Sequence, residues 1–350
     1  MTPPVLDEIR TVRIAEAVRP GDDTVFVAAH GGGLIGWYGP VSTEVGRAVD
    51  VISPAAVGVL VSDHRGLGRR LRAAVRDGSG RLGQWAAGSV DCAVWDLHGL
   101  LAGKPVADLL TPDRAHVPVP VYSSWLRMDL SNPESPDVLA QVAEEGWAFT
   151  KWGLRRQQGP TIASEVRDLV AALQRAAQAL GTGFAADAVG TWNPRLSTVF
   201  AAEVDDSTLL WLEDPLPEHD LRIYRKLAST SLPLALGEML MPEEDLLRLV
   251  DQAQPAALTI DVVGCGGLTH AVEITSTARN AGIPVYPHGR SLVPGIHLAA
   301  AFPDAVPAVE YRRQWEPRRQ QVYREPWTPN RGNFLPPTSA GLGTEPRRPQ

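Results

Sequence analysis

Along this chain, short apolar runs that end in one acid or one histidine alternate with longer stretches of helical periodicity. Between Gly183 and Gly289 the runs read FAAD to Asp187, LLWLE to Glu213, LALGE to Glu238, LTID to Asp261 and VYPH to His288. The steps between those five residues are 26, 25, 23 and 27, the length of one strand plus one helix. Such alternation predicts a parallel sheet. In a closed parallel barrel the C-terminal strand ends share one mouth, so the five residues are expected to meet there although they are far apart in sequence.

Eight strand-like runs begin at Val117: VPVPVYSS, AFTKWG, FAADA, LLWLED, LPLALGE, ALTIDVV, IPVYPHG and AVEYR. Seven amphipathic stretches separate them. Residues 161–181 show apolar Ile162, Val166, Leu169, Val170 and Leu173 at helical spacing, with Gly181 as the stop. After the eighth run, RRQWEPRRQQV is too broken by charge and proline for an eighth helix, which gives an α/β modified TIM barrel, (β/α)7β. Before the barrel, residues 9–18 and 24–29 are strand-like, and Gly31–Gly33 punctuate the turn into LIGWYG, an antiparallel meander. Helices are expected over 43–52, 55–62 and 64–76. In residues 89–110, SVDCAVWDLHGLLAGKPVADLL, a helix is stopped at Gly103 and Pro105.

Composition narrows the classes. The 350 residues, 44% of them hydrophobic, suffice for a barrel core and one smaller domain. A net charge of −7 without clustered Lys and Arg on one element excludes a nucleic-acid footprint. Cys92 and Cys265 lie in separate apolar patterns, which predicts free thiols and a reducing cytoplasm. The charged N-terminus MTPPVLDEIR has no apolar signal core, and no run reaches the roughly 18 apolar residues of a membrane span. A soluble cytoplasmic protein is expected, with no nucleic-acid or membrane partner. His30-Gly-Gly-Gly matches an esterase oxyanion signature, but the required G-x-S-x-G turn is absent, so a plain turn is expected. Asp91, Asp96 and His98 are read as polar residues of a helix packed between two domains, in preference to metal ligands.

The helix at 89–110, the three strand-end carboxylates, GGLT after Asp261, PHG at 287–289 and PTSAGLG near the end together resemble the enolase superfamily. The likeness is closest to its mandelate racemase and muconate lactonizing branch with the sugar-acid dehydratases, and it spans nearly the whole chain. It implies an α+β cap (1–116), a barrel (117–324) and a C-terminal segment (325–350) returning to the cap, with Mg²⁺ at the mouth and a homo-oligomeric assembly. Mg²⁺ wants octahedral oxygen ligands, which Asp187, Glu213 and Glu238 would supply; singly, each reads as a surface acid at a strand end. A metal would stabilise the enediolate made when the proton beside a carboxylate is removed.

By the same resemblance His288 is the base, with Asp261 on its other ring nitrogen. Lys151 matches the first lysine of the branch's Lys-x-Lys and would hold the substrate carboxylate, while Gly153 leaves the second place empty. A racemase needs bases on both faces, so dehydration of a sugar acid through one histidine is favoured. Val189 stands where the family usually has a polar residue, which removes a contact and not a ligand. Glu310 matches an acid that hydrogen-bonds the substrate and, if protonated, would donate to the enediolate; its plain reading is a charged strand end. The cap loop RPGDD (19–23) is short, which turns attention to Trp37, Tyr38 or a neighbouring subunit for closure. Trp125, Trp152 and Trp192 either pack the barrel rim or narrow the pocket, and Arg155 and Arg156 are candidate contacts to an anionic substrate. Three alternatives remain: a racemase, epimerase or cycloisomerase of a carboxylate; a metal-free glycosidase, which would use a carboxylate pair; and a non-catalytic ligand-binding relative.

Overall fold

The structure is a computed structural model; the residues described are 3–14, 24–75, 80–204, 209–217, 221–238, 248 and 250–347. A three-stranded antiparallel sheet opens the chain: β1 (Leu6–Arg13), β2 (Val25–Gly31) and β3 (Leu34–Val41), in that order. Gly32 and Gly33, with φ of 57° and 78°, make the β2–β3 turn, the conformation a two-residue hairpin needs and glycine adopts freely. His30 and Gly31 thus end β2, and only Gly32 and Gly33 of His30-Gly-Gly-Gly form the turn. Strand β1 starts three residues before the expected 9–18. The rest of that expected span, 15–18, and the cap loop 19–23 lie outside the described residues.

Helices α1 (Thr43–Ile52), α2 (His64–Val75), α3 (Gly80–Ala102) and α4 (Val106–Leu110) complete this region. The helix expected over 55–62 does not form. Ser53–Ala56 is a 3-10 turn, Gly58 takes a φ of 77°, and Leu60 bridges to Val5. The proline at the turn's start and the left-handed glycine leave no room for a further helical turn.

The barrel strands are β4 (Val119–Asp129), β5 (Thr150–Gly153), β6 (Phe184–Asp187), β7 (Leu209–Glu213), β8 (Leu234–Leu236), β9 (Ala257–Leu258) and β10 (Val309–Arg312). They pair in parallel in chain order, and β10 closes back on β4. The seventh expected run is not a regular strand. Val285 only bridges Leu258, yet Tyr286 and His288 donate to Leu258 and Ile260 on one side, and Glu310 donates to Pro287 on the other. Pro284 and Pro287 lack the amides a ladder uses, so the ring closes through these single bonds. Outside lie α5 (Ser135–Ala143), α6 (Ile162–Leu180), α7 (Pro194–Glu203), α8 (Leu221–Ala228), α9 (Leu268–Asn280) and α10 (Leu292–Ala301). In α6 the Thr161–Ser164 capping box and left-handed Gly181 mark both ends. After β10 only the four-residue α11 (Glu316–Arg319) follows. A short β11 (Asn333–Phe334) pairs antiparallel with the start of β4.

Period-two alternation points one set of side chains inward. At the closed end Tyr122, Phe149, Trp211 and Tyr286 pack mostly edge to face, with centroids 4.5–6.0 Å apart, and fill the barrel. The next inward positions, Ser124, Lys151, Asp187, Glu213 and Glu310, are polar and form the floor of the mouth. Above it, α3 docks the cap onto the barrel. Asp91 accepts from the Thr269 amide (3.0 Å) and hydroxyl (2.6 Å), and Trp95 Nε1 donates to the same hydroxyl (3.0 Å). A Cβ at Gly88 would stand 2.0 Å from the Val263 carbonyl, so only glycine allows this approach beside Asp261. Asp96 accepts from Trp37 N (2.8 Å) and Leu342 N (2.6 Å), tying β3 and the C-terminal segment to the same helix. His98 pairs with His64 at 2.8 Å. Asp91, Asp96 and His98 are thus engaged within the protein.

Candidate active site

Lys151 sits at the centre of the mouth floor, 1% exposed. Its Nζ lies 2.8 Å from Glu213 Oε2, 3.1 Å from Glu310 Oε1 and 3.6 Å from Asp187 Oδ2. Burial works against its charge, but Glu213 and Glu310 win and raise its pKa well above the usual lysine value. Lys151 is therefore the counter-cation of a buried acid cluster, and its ammonium is already engaged on three sides. Glu310 is also desolvated, yet Lys151 and the Gly289 amide (2.7 Å) hold it well below the usual carboxylate range. These partners favour its carboxylate form over the protonated form in which it was expected to donate.

The metal ligands expected were Asp187, Glu213 and Glu238, and all three reach the mouth. Glu238 breaks strand alternation because Gly237 turns the chain with a φ of 144°; a side chain at 237 would press within 3.1–3.3 Å of the Thr259 backbone. Among the described residues, the three carboxylates whose oxygens lie within 4.8 Å of one another are Glu213, Asp214 and Glu238. Asp187 instead accepts from Val189 N at 2.7 Å and leans to Lys151. Asp214, with a φ of 37°, is a site residue the sequence reading passed over. Its signal was present in LEDP, a second acid directly after the strand-end Glu213.

The donor set fits a hard divalent cation. Carboxylate oxygens are its preferred ligands, and Glu213 Oε1 is buried without a hydrogen-bond partner, a costly state that a cation would relieve. Burial first, then neighbouring acids, pushes Asp187 up to about 6, Glu238 up to about 8 and Glu213 well above the usual range. These are carboxylates crowded beyond what Lys151 alone neutralises.

His288 closes the opposite side. Its Nε2 lies 3.5 Å from Glu238 Oε2 and 3.6 Å from Glu310 Oε2, while Nδ1 meets the Arg290 amide at 3.4 Å. Burial drives its pKa down to about 4 against the pull of Glu310, so the imidazole is neutral at pH 7. The expected bond between Asp261 and His288 is not made. Asp261 Oδ1 accepts from Val263 N (3.1 Å), Gly264 N (3.0 Å) and the Ser291 hydroxyl. It reaches the 288–291 turn through Ser291, because the amides of its own loop are nearer.

A cavity of about 760 Å³ opens above these residues, lined by Asp187, Val189, Asp214, Glu238, His288, Trp85, Trp315 and arginines 81, 290, 312, 318 and 319 among others. The aromatic contacts foreseen for the substrate lie elsewhere. Tyr38 is buried and lines a smaller void of about 60 Å³ beside Asp261. Trp125 lies under Arg313. Trp152 and Trp192 are buried, with indole N–H groups on Thr150 Oγ1 (2.8 Å) and Leu154 O (2.9 Å). They pack the rim, and Trp85 and Trp315 take the place at the mouth. Arg155 also turns away, its Nη1 donating to Leu126 O (2.6 Å) 3.5 Å from Asp129, and Arg156 pairs with Glu165. A Cβ at Gly153 would lie 2.8 Å from both Leu126 O and Arg155 Nη1. The second-lysine position is thus closed as well as empty.

Fold and site define a capped parallel barrel with an acid cluster, a lysine and a histidine at the C-terminal strand ends. Residues 136–350 match the family model described as Enolase C-terminal domain-like, and the chain belongs to that family. It is 27% identical over 270 residues to a D-galactonate dehydratase of Ralstonia pickettii, covering 73% of this chain and 68% of the relative. It is 26% identical over 335 residues to a D-galactonate dehydratase of Verminephrobacter eiseniae, covering 89% and 86%. Among solved structures, an enolase from Pantoea ananatis with bound D-gluconate and Mg matches with a TM-score of 0.84 at 18% identity, over 98% of this chain and 93% of that one. Both cysteines are free and buried, and among the described residues no helix is long and apolar enough to cross a membrane.

Proposed function

We propose that this chain is a Mg²⁺-dependent sugar-acid dehydratase that removes the proton beside the substrate carboxylate through an enediolate and expels the 3-hydroxyl. The observation that carries the reading is the pairing of an under-neutralised oxygen cluster, Glu213, Asp214 and Glu238, with the neutral His288 whose Nε2 borders it at 3.5 Å. Asp187, Glu213 and Glu238 are the proposed ligands, with Asp214 close enough to share the role. Bound there, Mg²⁺ supplies Lewis-acid stabilisation of the carboxylate as negative charge develops on it. Lys151 and Glu310 hold the floor of the site in a fixed charge arrangement, which needs no reorganisation during reaction. His288 takes the 2-proton on Nε2 as a neutral base, in the tautomer that carries its proton on Nδ1 and gives up the 3.4 Å contact with the Arg290 amide, and returns it to the departing hydroxyl as an acid. Asp261 positions that ring through Ser291 and the 288–291 turn.

The relatives named as dehydratases support the reaction class. The closed space at Gly153 supports elimination over epimerisation, because no base reaches the second face from that position. The proposed division into cap, barrel and returning segment at 1–116, 117–324 and 325–350 is supported by the Asp96 clamp and by the Thr344 hydroxyl on Trp37 O (2.5 Å). The test is a proton-NMR screen of sugar acids with Mg²⁺ and with EDTA. A 2-keto-3-deoxy product that forms only with Mg²⁺ is expected; product that survives EDTA contradicts the reading.

A further inference from the structure

The lining of the cavity is rich in arginine. Among the described residues lining it, five are arginines, 81, 290, 312, 318 and 319, against the acids Asp187, Asp214 and Glu238. Arg290 is exposed and stacks its guanidinium 4.3 Å from the Trp85 ring centroid. Among the described residues that guanidinium has no carboxylate within ion-pair distance. Arg312, 8% exposed, spends Nη2 on Glu316 Oε1 at 2.8 Å and lies over Trp315 at 5.1 Å; its Nη1 makes no hydrogen bond among the described residues. Both guanidiniums therefore lie against aromatic faces and keep donors that have no partner among the described residues.

A polyol tail is neutral and is served by groups that both donate and accept. A guanidinium only donates, in a planar fork that matches a carboxylate or a phosphate. Pre-ordering on an indole lowers the cost of fixing that fork on a ligand. Resting on the dehydratase reading of the same site, we infer that the substrate carries a second anionic group besides the reacting carboxylate, seated on Arg290 and Arg312. Two sources share this chemistry: a second carboxylate, as in an aldaric acid, and a phosphate ester, as in a phosphorylated aldonic acid.

The test is calorimetric binding of matched sets across the hexose configurations, each set holding an aldonate, the corresponding aldarate and the 6-phosphoaldonate, with product formation followed in parallel. Wild type, Arg290→Gln and Arg290→Lys are compared; Arg290 is exposed, so neither change threatens the fold. In at least one configuration a dianionic member binds roughly tenfold or more tighter than its aldonate, the worth of a charge-assisted contact. Arg290→Gln narrows the gap to about twofold, and Arg290→Lys keeps part of it. Which member gains identifies carboxylate or phosphate. Aldonates that bind as well as every dianionic partner overturn the inference, as does a gap that survives Arg290→Gln. Dehydration of aldonates with no such preference removes the second anion and leaves the reaction standing. Tight, Arg290-dependent binding of dianions without any elimination keeps the anion seat and removes the reaction.

Discussion

Replacing Lys151 by Met removes a cation buried in the floor of the mouth while keeping most of its bulk. Its ammonium stands 2.8 Å from Glu213, 3.1 Å from Glu310 and 3.6 Å from Asp187. At an effective dielectric near 20, each of the two closer contacts amounts to roughly 5–6 kcal/mol of gross attraction. Desolvation of the four groups offsets most of this in the native protein. The mutant retains the desolvation of three carboxylates and loses the attraction, and breaking a buried pair in this way costs about 3–5 kcal/mol. Urea unfolding at pH 7 in EDTA should show that loss, and saturating Mg²⁺ should recover more stability in Lys151→Met than in the wild type. A loss under about 1 kcal/mol, or equal Mg²⁺ stabilisation of the two proteins, refutes the assignment of Lys151 as counter-cation.

Three further outcomes are expected. Gly153→Lys meets Leu126 O at 2.8 Å and should destabilise by about 1–3 kcal/mol without creating a second-face base; Mg²⁺-dependent racemisation by this variant would show the space is open. Val189 holds a φ of 52° while 44% exposed, and Val189→Asn should stabilise by about 1 kcal/mol by easing a left-handed β-branched residue, an expectation that an unchanged urea midpoint would defeat. His297 accepts Ala107 N–H on Nδ1 and donates from Nε2 to Leu342 O, each at 3.1 Å, and burial drives its pKa down to about 3. Because the folded pKa lies below the unfolded one near 6.5, the stability it contributes is present above pH 6.5 and is lost as pH falls toward 3. Stability measured from pH 7 to 4 should fall less steeply in His297→Gln, and parallel slopes would place the acid sensitivity elsewhere.

The order of strands and helices was written in period and spacing, because a barrel needs only a repeated strand–helix unit with an apolar inward face. That order alone brought Asp187, Glu213 and His288 to one mouth, while Glu238 needed the turn at Gly237 and Asp261 faces its own loop and Ser291. What the side chains do once gathered was not legible. Whether Asp261 bonds His288 or the 288–291 turn depends on ångström-scale competition with nearby amides. Whether Arg155 meets substrate depends on a carbonyl, Leu126, met only in three dimensions. Asp214 escaped because strand alternation points it away from the mouth, and only its unusual backbone angle turns it back. Arg290, Arg312 and Trp85 come from the barrel and the cap, and no sequence period links them.

The account rests on one histidine acting on one face of the substrate, and the direct test is His288→Asn assayed in D₂O with a turned-over sugar acid and Mg²⁺. Calorimetry should show Mg²⁺ binding retained, while both elimination and exchange of the 2-proton fall by at least roughly 100-fold, the usual worth of a general base. Elimination or exchange near the wild-type rate in that variant contradicts the account and places the base on another residue.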